Sequence, residues 1–337
     1  MSTYTMTPEV VRVTIVVGVI LSIVFYERVQ LTTGGAIVPA YLAIAVVRPI
    51  AVLVTVGAGY LTHVLVTRVI TKRRILYGRR KFEVEVLVGL AIITSCTLSA
   101  HFLGRLDPAL LAFAGIGFLI PGIIAHDMGR QTPKRTIAAI AITTSILAVF
   151  AYVVSSLVSI VPGASTASAA LLSSRLGYPR ELLLVAVGVS VLVGMFVYDR
   201  IGLRSGGFIT GAYLALVSPR WADLVFTLVI AVATWFVVVK VLMPRLLLFG
   251  RRKVSTMMLV GAVIGWSGEL VLAIVTHREY TPWLGLTVAT LMVPALIAND
   301  AQRQGWQRTI WGTTLVGVGV FAATNLIAVP LELGGLL

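Results

Sequence analysis

The chain has 337 residues, 58% of them hydrophobic and only 12% charged, where a soluble domain carries about 25% charged residues. With a mean hydropathy of +1.00, the composition excludes an ordinary soluble protein and reads as an integral membrane protein. Basic residues outnumber acids 27 to 13, a net charge of +14, and a single cysteine, Cys96, excludes a disulfide framework or a cysteine-based metal site.

A helix crossing about 30 Å of hydrocarbon needs about 20 mostly apolar residues. Such spans are predicted at residues 10–26, 50–71, 84–103, 110–125 and 137–161, then at 182–198, 224–243, 255–276, 284–297 and 310–329. Residues 13–25 resemble a signal-peptide core but lack a basic n-region and a small-x-small cleavage site, so they are read as the first span. Two apolar pieces, 36–47 and 208–217, are too short to cross as straight helices, reaching about 15–18 Å. Pro121 and Pro294 sit inside spans, where each is expected to kink its helix. Trp221, Trp283, Trp306 and Trp311 mostly flank spans and read as interfacial anchors.

The second half of the chain repeats the first. Tyr26-Glu27-Arg28 recurs as Tyr198-Asp199-Arg200, Gly34-Gly35 as Gly206-Gly207, and Gly78-Arg79-Arg80-Lys81 as Gly250-Arg251-Arg252-Lys253, all at one offset. After a one-residue insertion, His126-Asp127, Arg130-Gln131 and Arg135-Thr136 recur as Asn299-Asp300, Arg303-Gln304 and Arg308-Thr309. The expected organisation is a first membrane repeat at 1–161, an external linker rich in Ser, Ala and Gly at 162–180, and a second repeat at 181–337.

Basic loops stay cytoplasmic, so an even number of crossings must separate the two Gly-Arg-Arg-Lys loops. That requires the short segment 208–217, and its twin 36–47, to complete a crossing as a half-helix continued by irregular backbone, which the bilayer tolerates only where protein or a polar cavity covers it. The predicted fold is therefore all-α and polytopic: two parallel repeats of about six membrane segments, one short broken half-helix in each, and both termini outside. On this topology 20 of the 27 basic residues and six acids fall inside, placing the whole +14 on the inner face. The acids counted there are Glu27, Glu83, Glu85, Asp127, Asp199 and Asp300.

Positive-inside bias and anionic headgroups account for basic loops in most membrane proteins. Topology asks only for charge, however, and not for a repeated order. Arg79, Arg80, Lys81, Arg251, Arg252 and Lys253, with Arg130, Arg135, Arg303 and Arg308, are therefore candidates for binding an acidic chain or partner, since guanidinium matches carboxylate geometry. A second candidate lies near membrane depth. Glu27 and Asp199 end the first span of each repeat, and Gly34, Gly35 and Pro39, like Gly206 and Gly207, open the half-helix. Its N-terminus can face an anion, as in transporters; the alternative is an interfacial ion pair with packing glycines. Glu269 is either a buried functional carboxylate or one that snorkels outward. His126 and Asn299 share a repeat position, which favours a helix-end hydrogen bond over a metal or proton relay. The four histidines have no metal-ligand spacing, and no P-loop, G-x-S-x-G or H-E-x-x-H string occurs, so no catalytic residue, metal or cofactor is assigned.

Ile75-Leu76-Tyr77-Gly78-Arg79-Arg80-Lys81-Phe82, preceded by Glu27…Gly34-Gly35-x-x-Val38-Pro39-x-Tyr41-Leu42 and followed by Pro121-Gly122-Ile123-Ile124-Ala125-His126, resembles the poly-γ-glutamate capsule biosynthesis membrane proteins called CapC or PgsC. The resemblance covers residues 10–160 well and 181–330 as a diverged second copy, so the chain resembles a fused pair of a unit that usually occurs singly. Pro39, Tyr77 and His126 are replaced in the second half by Gly211, Phe249 and Asn299. The resemblance implies a non-catalytic subunit of a poly-γ-glutamate synthase in a prokaryotic plasma membrane. Its implied partners are a Mur-ligase-like ATP-dependent ligase, a membrane-anchored protein with a large external domain, and the polymer itself, with no nucleic acid. Such a subunit would dock the ligase and assist export of the polyanion. The alternative is a secondary transporter for a small organic anion, and a third reading is a passive membrane anchor.

Overall fold

The computed structural model describes residues 8–73, 75–104, 107–160, 180–277, 279–280, 282 and 287–333. The linker expected at 162–180 lies almost wholly outside these residues. The chain divides into two compact units, Met1–Thr166 and Ala167–Leu337, and every regular element among the described residues is helical.

Unit one contains α1 (Pro8–Val29), α2 (Val38–Ile44), α3 (Pro49–Leu65, continued by a π-turn at Val66–Ile70), α4 (Gly78–Leu103), α5 (Ile120–Gln131) and α6 (Pro133–Ile160). Unit two contains α7 (Arg180–Ile201), α8 (Phe208–Val217), α9 (Trp221–Trp235, with a π-turn at Phe236–Leu242), α10 (Gly250–Val275), α11 (Thr287–Gln304) and α12 (Trp306–Leu333). Among the described residues, seven helical stretches are long and apolar enough to cross a membrane, the pattern of a multi-pass membrane protein.

The short helix α2 follows residues 30–37, which are not helical. Ser22 Oγ donates to the Ala36 carbonyl at 3.2 Å, and a Cβ on Gly18 would lie 2.7 Å from that of Ala40. Contacts thus step down α1 as they step up the short segment, so the segment runs back along α1. Its turn requires glycine: Gly34 and Gly35 have φ of +76° and +106°, and Gly206 and Gly207 have +76° and +92°. A Cβ on Gly34 would also meet Ile140 Cδ1 at 2.9 Å. Val38 and Leu42 of α2 pack with Ile120, Ile124, Met128 and Ile140 in the core of the unit.

Residues 110–125 differ from the straight span expected. They form a 3-10 turn at Pro108–Phe113, irregular backbone, and then α5. Gly117 adopts a φ of +61°, and Pro121 lies in the first turn of α5, where proline starts a helix instead of kinking one. A side chain of α3 pairs part of the irregular backbone: the Ile116 N–H donates to Thr55 Oγ1 at 2.8 Å, and that hydroxyl donates to the Ala51 carbonyl at 2.8 Å. Unit one therefore has two broken elements where one was expected. Pro294, in contrast, lies inside α11, as expected.

Candidate functional site

Glycine opens both basic clusters. Gly78 and Gly250, with φ of +59° and +57°, begin α4 and α10 after the extended residues Tyr77 and Phe249. The next three residues, Arg79-Arg80-Lys81 and Arg251-Arg252-Lys253, form the first helical turn. Cations there oppose the helix dipole, which instead favours anions by about 0.3–1 kcal/mol each. Helix stability alone would select acids at these positions. The arginines thus add to a positive end that already suits a carboxylate or phosphate.

The two clusters differ in detail. Arg79 Nε donates to Glu83 Oε1 at 2.7 Å, Arg80 and Arg252 are exposed, and Arg251 is half-buried. Lys253 is buried and donates to Gln302 Oε1, which removes it from the surface set. Arg130, Arg135, Arg303 and Arg308 are exposed. Beside them stands a feature to which the sequence reading assigned no role. Gln131 Nε2 donates to the Thr32 carbonyl at 2.6 Å and to Thr136 Oγ1 at 2.8 Å, while its Oε1 accepts the Thr32 N–H at 2.8 Å. In unit two Gln304 Nε2 donates to the Arg204 carbonyl at 2.8 Å and to Thr309 Oγ1 at 3.1 Å, and its Oε1 accepts the Arg204 N–H at 2.9 Å. The retained Arg-Gln…Arg-Thr order therefore has a structural cause: Gln and Thr clamp the irregular strand that leads into each half-helix.

Glu27 and Asp199 are exposed at the ends of α1 and α7. In unit two a buried acid stands nearer the half-helix: Asp300, which is 7% exposed, accepts the Gly206 N–H at 3.0 Å. An internal carboxylate thus bonds the glycine turn that leads into the half-helix. Pro39 is buried within α2. Glu269 is buried too and does not snorkel.

Four of the six acids counted on the inner face, Glu83, Glu85, Asp127 and Asp300, are buried in the helix bundles. The most enclosed is Glu85, whose side chain is 0% exposed. Its Oε2 accepts a hydrogen bond from His126 Nδ1 at 2.7 Å, and its Oε1 lies 3.8 Å from Lys81 Nζ. The imidazole of His126 packs 4.7 Å from the Phe82 ring. The histidine therefore bonds a buried carboxylate on a neighbouring helix, beyond the helix-end role expected. Close backbone approach positions the pair. A Cβ on Gly89 would meet the Gly122 nitrogen at 2.6 Å, and one on Gly122 would meet Val86 Cα at 2.5 Å. One turn further along each helix, Glu85 meets His126. The sequence signal was the four-residue spacing of Arg79 to Glu83 and Lys81 to Glu85, which joins like faces of one helix. Among the described residues, no group of three or more His, Cys, Asp or Glu is arranged to hold a metal.

Comparison with known proteins agrees with the repeat. The family described as "Capsule biosynthesis CapC" matches twice, at residues 17–137 and 189–310. The chain is 36% identical over 126 residues to the "Capsule biosynthesis protein CapC" of Bacillus anthracis, covering 37% of this chain and 82% of that protein. It is 33% identical over 120 residues to the "PGA biosynthesis protein CapC" of Bacillus subtilis (strain 168), covering 35% of this chain and 78% of that one. No solved structure matches. With two family regions in tandem, the chain belongs to the CapC capsule biosynthesis family and carries its unit twice.

Proposed function

We propose that this chain is the integral membrane subunit of a poly-γ-glutamate capsule synthase. Its basic end faces the cytoplasm, docks the ATP-dependent ligase and receives the anionic product, and the chain itself performs no ATP chemistry. The observation that carries this reading is the arginine pair placed in the first turn of a helix in both units, against the dipole preference and at the same repeat position. A poly-γ-glutamate chain carries one carboxylate per residue, and each unpaired charge is costly to bring near hydrocarbon. Arg79 and Arg80 of unit one, with exposed Arg130 and Arg135, and Arg251 and Arg252 of unit two, with exposed Arg303 and Arg308, are the residues that would offset that cost. Lys81 serves the same end from a less exposed position. A membrane-anchored external-domain protein would complete the complex on the other side.

The transporter alternative draws on the broken elements of unit one. It draws as well on the tandem repeats and on half-helices whose N-termini can face an anion; in unit two Asp300 bonds the glycine turn before that helix. Purification of the tagged protein in mild detergent, followed by assay of ATP-dependent polymer synthesis, tests the synthase reading. A retained Mur-ligase-like ligase and polymer formation are expected. Retention of no ligase from several detergents, with uptake of a labelled organic anion by the protein alone in proteoliposomes, would favour the transporter.

A further inference from the structure

The two units differ at one polar point, beside the exposed Gly129 of unit one and the half-buried Gln302 of unit two. In unit one, a Cβ built on Gly129 would lie 3.3 Å from Lys81 Nζ, 3.7 Å from Glu85 Oε1 and 3.9 Å from His63 Nδ1. These three polar atoms converge on a space that no side chain fills. Glu85 Oε1 and His63 Nδ1 are both buried and without a hydrogen-bond partner, an arrangement that is costly unless something completes it. The space is reachable, because the Lys81 and His126 side chains are 26% and 27% exposed.

Unit two shows what occupies the corresponding space. Gly129 is replaced there by Gln302, whose Oε1 accepts a hydrogen bond from Lys253, the counterpart of Lys81. His63, Glu85 and His126 are replaced by Trp235, Met257 and Asn299. The second unit thus fills its own space with a side-chain amide and has lost the carboxylate that faces it.

We propose that unit one binds one amide group of an acyl-amide chain at this point. The amide carbonyl accepts from the Lys81 ammonium, the amide N–H donates to Glu85 Oε1, and His63 lines the third side. His126 acts as a positioning residue by holding Glu85 through Oε2. Gly129 leaves the space that the amide enters. On the synthase reading, on which this inference rests, the ligand is the γ-glutamyl linkage of the polymer, and its amide is read by Lys81 and Glu85 in unit one. The chain therefore has one amide site, not two.

The test is calorimetric binding of γ-glutamylglutamate to the full-length protein in detergent, with free glutamate, which has no amide, as the comparison. Wild type is expected to bind the dipeptide saturably and at least tenfold more tightly than glutamate. Gly129→Gln, which copies the self-filled second unit, and Lys81→Met should each weaken dipeptide binding at least tenfold; Gly129→Gln should retain the wild-type thermal midpoint, whereas Lys81→Met, which removes the cation beside buried Glu85, should lower it. Gln302→Gly should leave it unchanged, since Met257 offers no acceptor. Equal affinity for glutamate, no saturable dipeptide binding by wild type, or wild-type affinity in a folded Gly129→Gln protein would each overturn the amide site. These outcomes are separate from ligase retention and polymer formation. A complex that makes polymer while Gly129→Gln still binds the dipeptide normally defeats the amide site alone.

Discussion

Gln131 and Arg130 are neighbours in sequence with separable duties. Gln131 replaces water for both backbone groups of Thr32, whereas Arg130 projects from the surface. Gln131→Ala leaves a partly buried N–H and C=O unpaired and should destabilise the fold by about 1–3 kcal/mol, read as a lower unfolding midpoint in detergent. Arg130→Gln should change stability by less than about 0.5 kcal/mol, as exposed substitutions usually do. Equal midpoints for Gln131→Ala and wild type would remove the clamp from the account. Gln304→Ala is expected to repeat the effect in unit two, because Gln304 makes the same contacts to Arg204 and Thr309.

Between elements, the α4–α5 contact depends on glycine. A methyl group on Gly122 would meet the backbone of α4 at Val86 and Glu85, 2.5 and 2.9 Å away, leaving no flexible side chain to yield. Gly122→Ala should therefore cost about 1–3 kcal/mol by overpacking and push Glu85 from His126. The equivalent contact in unit two is already looser: the residue there is Ala295, whose Cβ lies 3.5 Å from a Cβ built on Gly261. Ala295→Gly should be milder than Gly122→Ala, and thermal unfolding of the two variants checks the order. Reversal of that order would show that the Gly89–Gly122 approach does not limit the packing.

For the whole molecule, the duplication and most spans were legible because hydropathy, repeat offset and charge all point to the same elements. The short helices α2 and α8 were legible too, as apolar pieces too short to cross as straight helices. The second break in unit one was not. Residues 110–125 are as apolar as a span, and only the backbone turn at Gly117 and the helix start at Pro121 distinguish them. The polar site was half legible. Arg79, Arg80, Arg251 and Arg252 stood out by repetition, but Glu85 read as one more inner-face acid, because its burial depends on α5 lying against α4. Lys253 read as a surface cation because the sequence does not show that Gln302 folds onto it. With Glu83, Glu85, Asp127 and Asp300 buried, the exposed surface beside each basic cluster is more basic than a count of residues indicates.

The central claim, that the paired arginines hold the ligase or its polymer, is tested most directly by replacing Arg79, Arg80, Arg251 and Arg252 together with Gln and measuring ATP-dependent polymer output with the ligase present. Helix propensity is little changed by Arg→Gln, but loss of the Arg79 bond to buried Glu83 should lower the thermal midpoint, so output is read at a temperature where the variant stays folded. Polymer output should fall at least tenfold, with a smaller fall for each single unit's pair. Undiminished output from the folded fourfold variant would contradict the account and leave this chain only as a passive anchor.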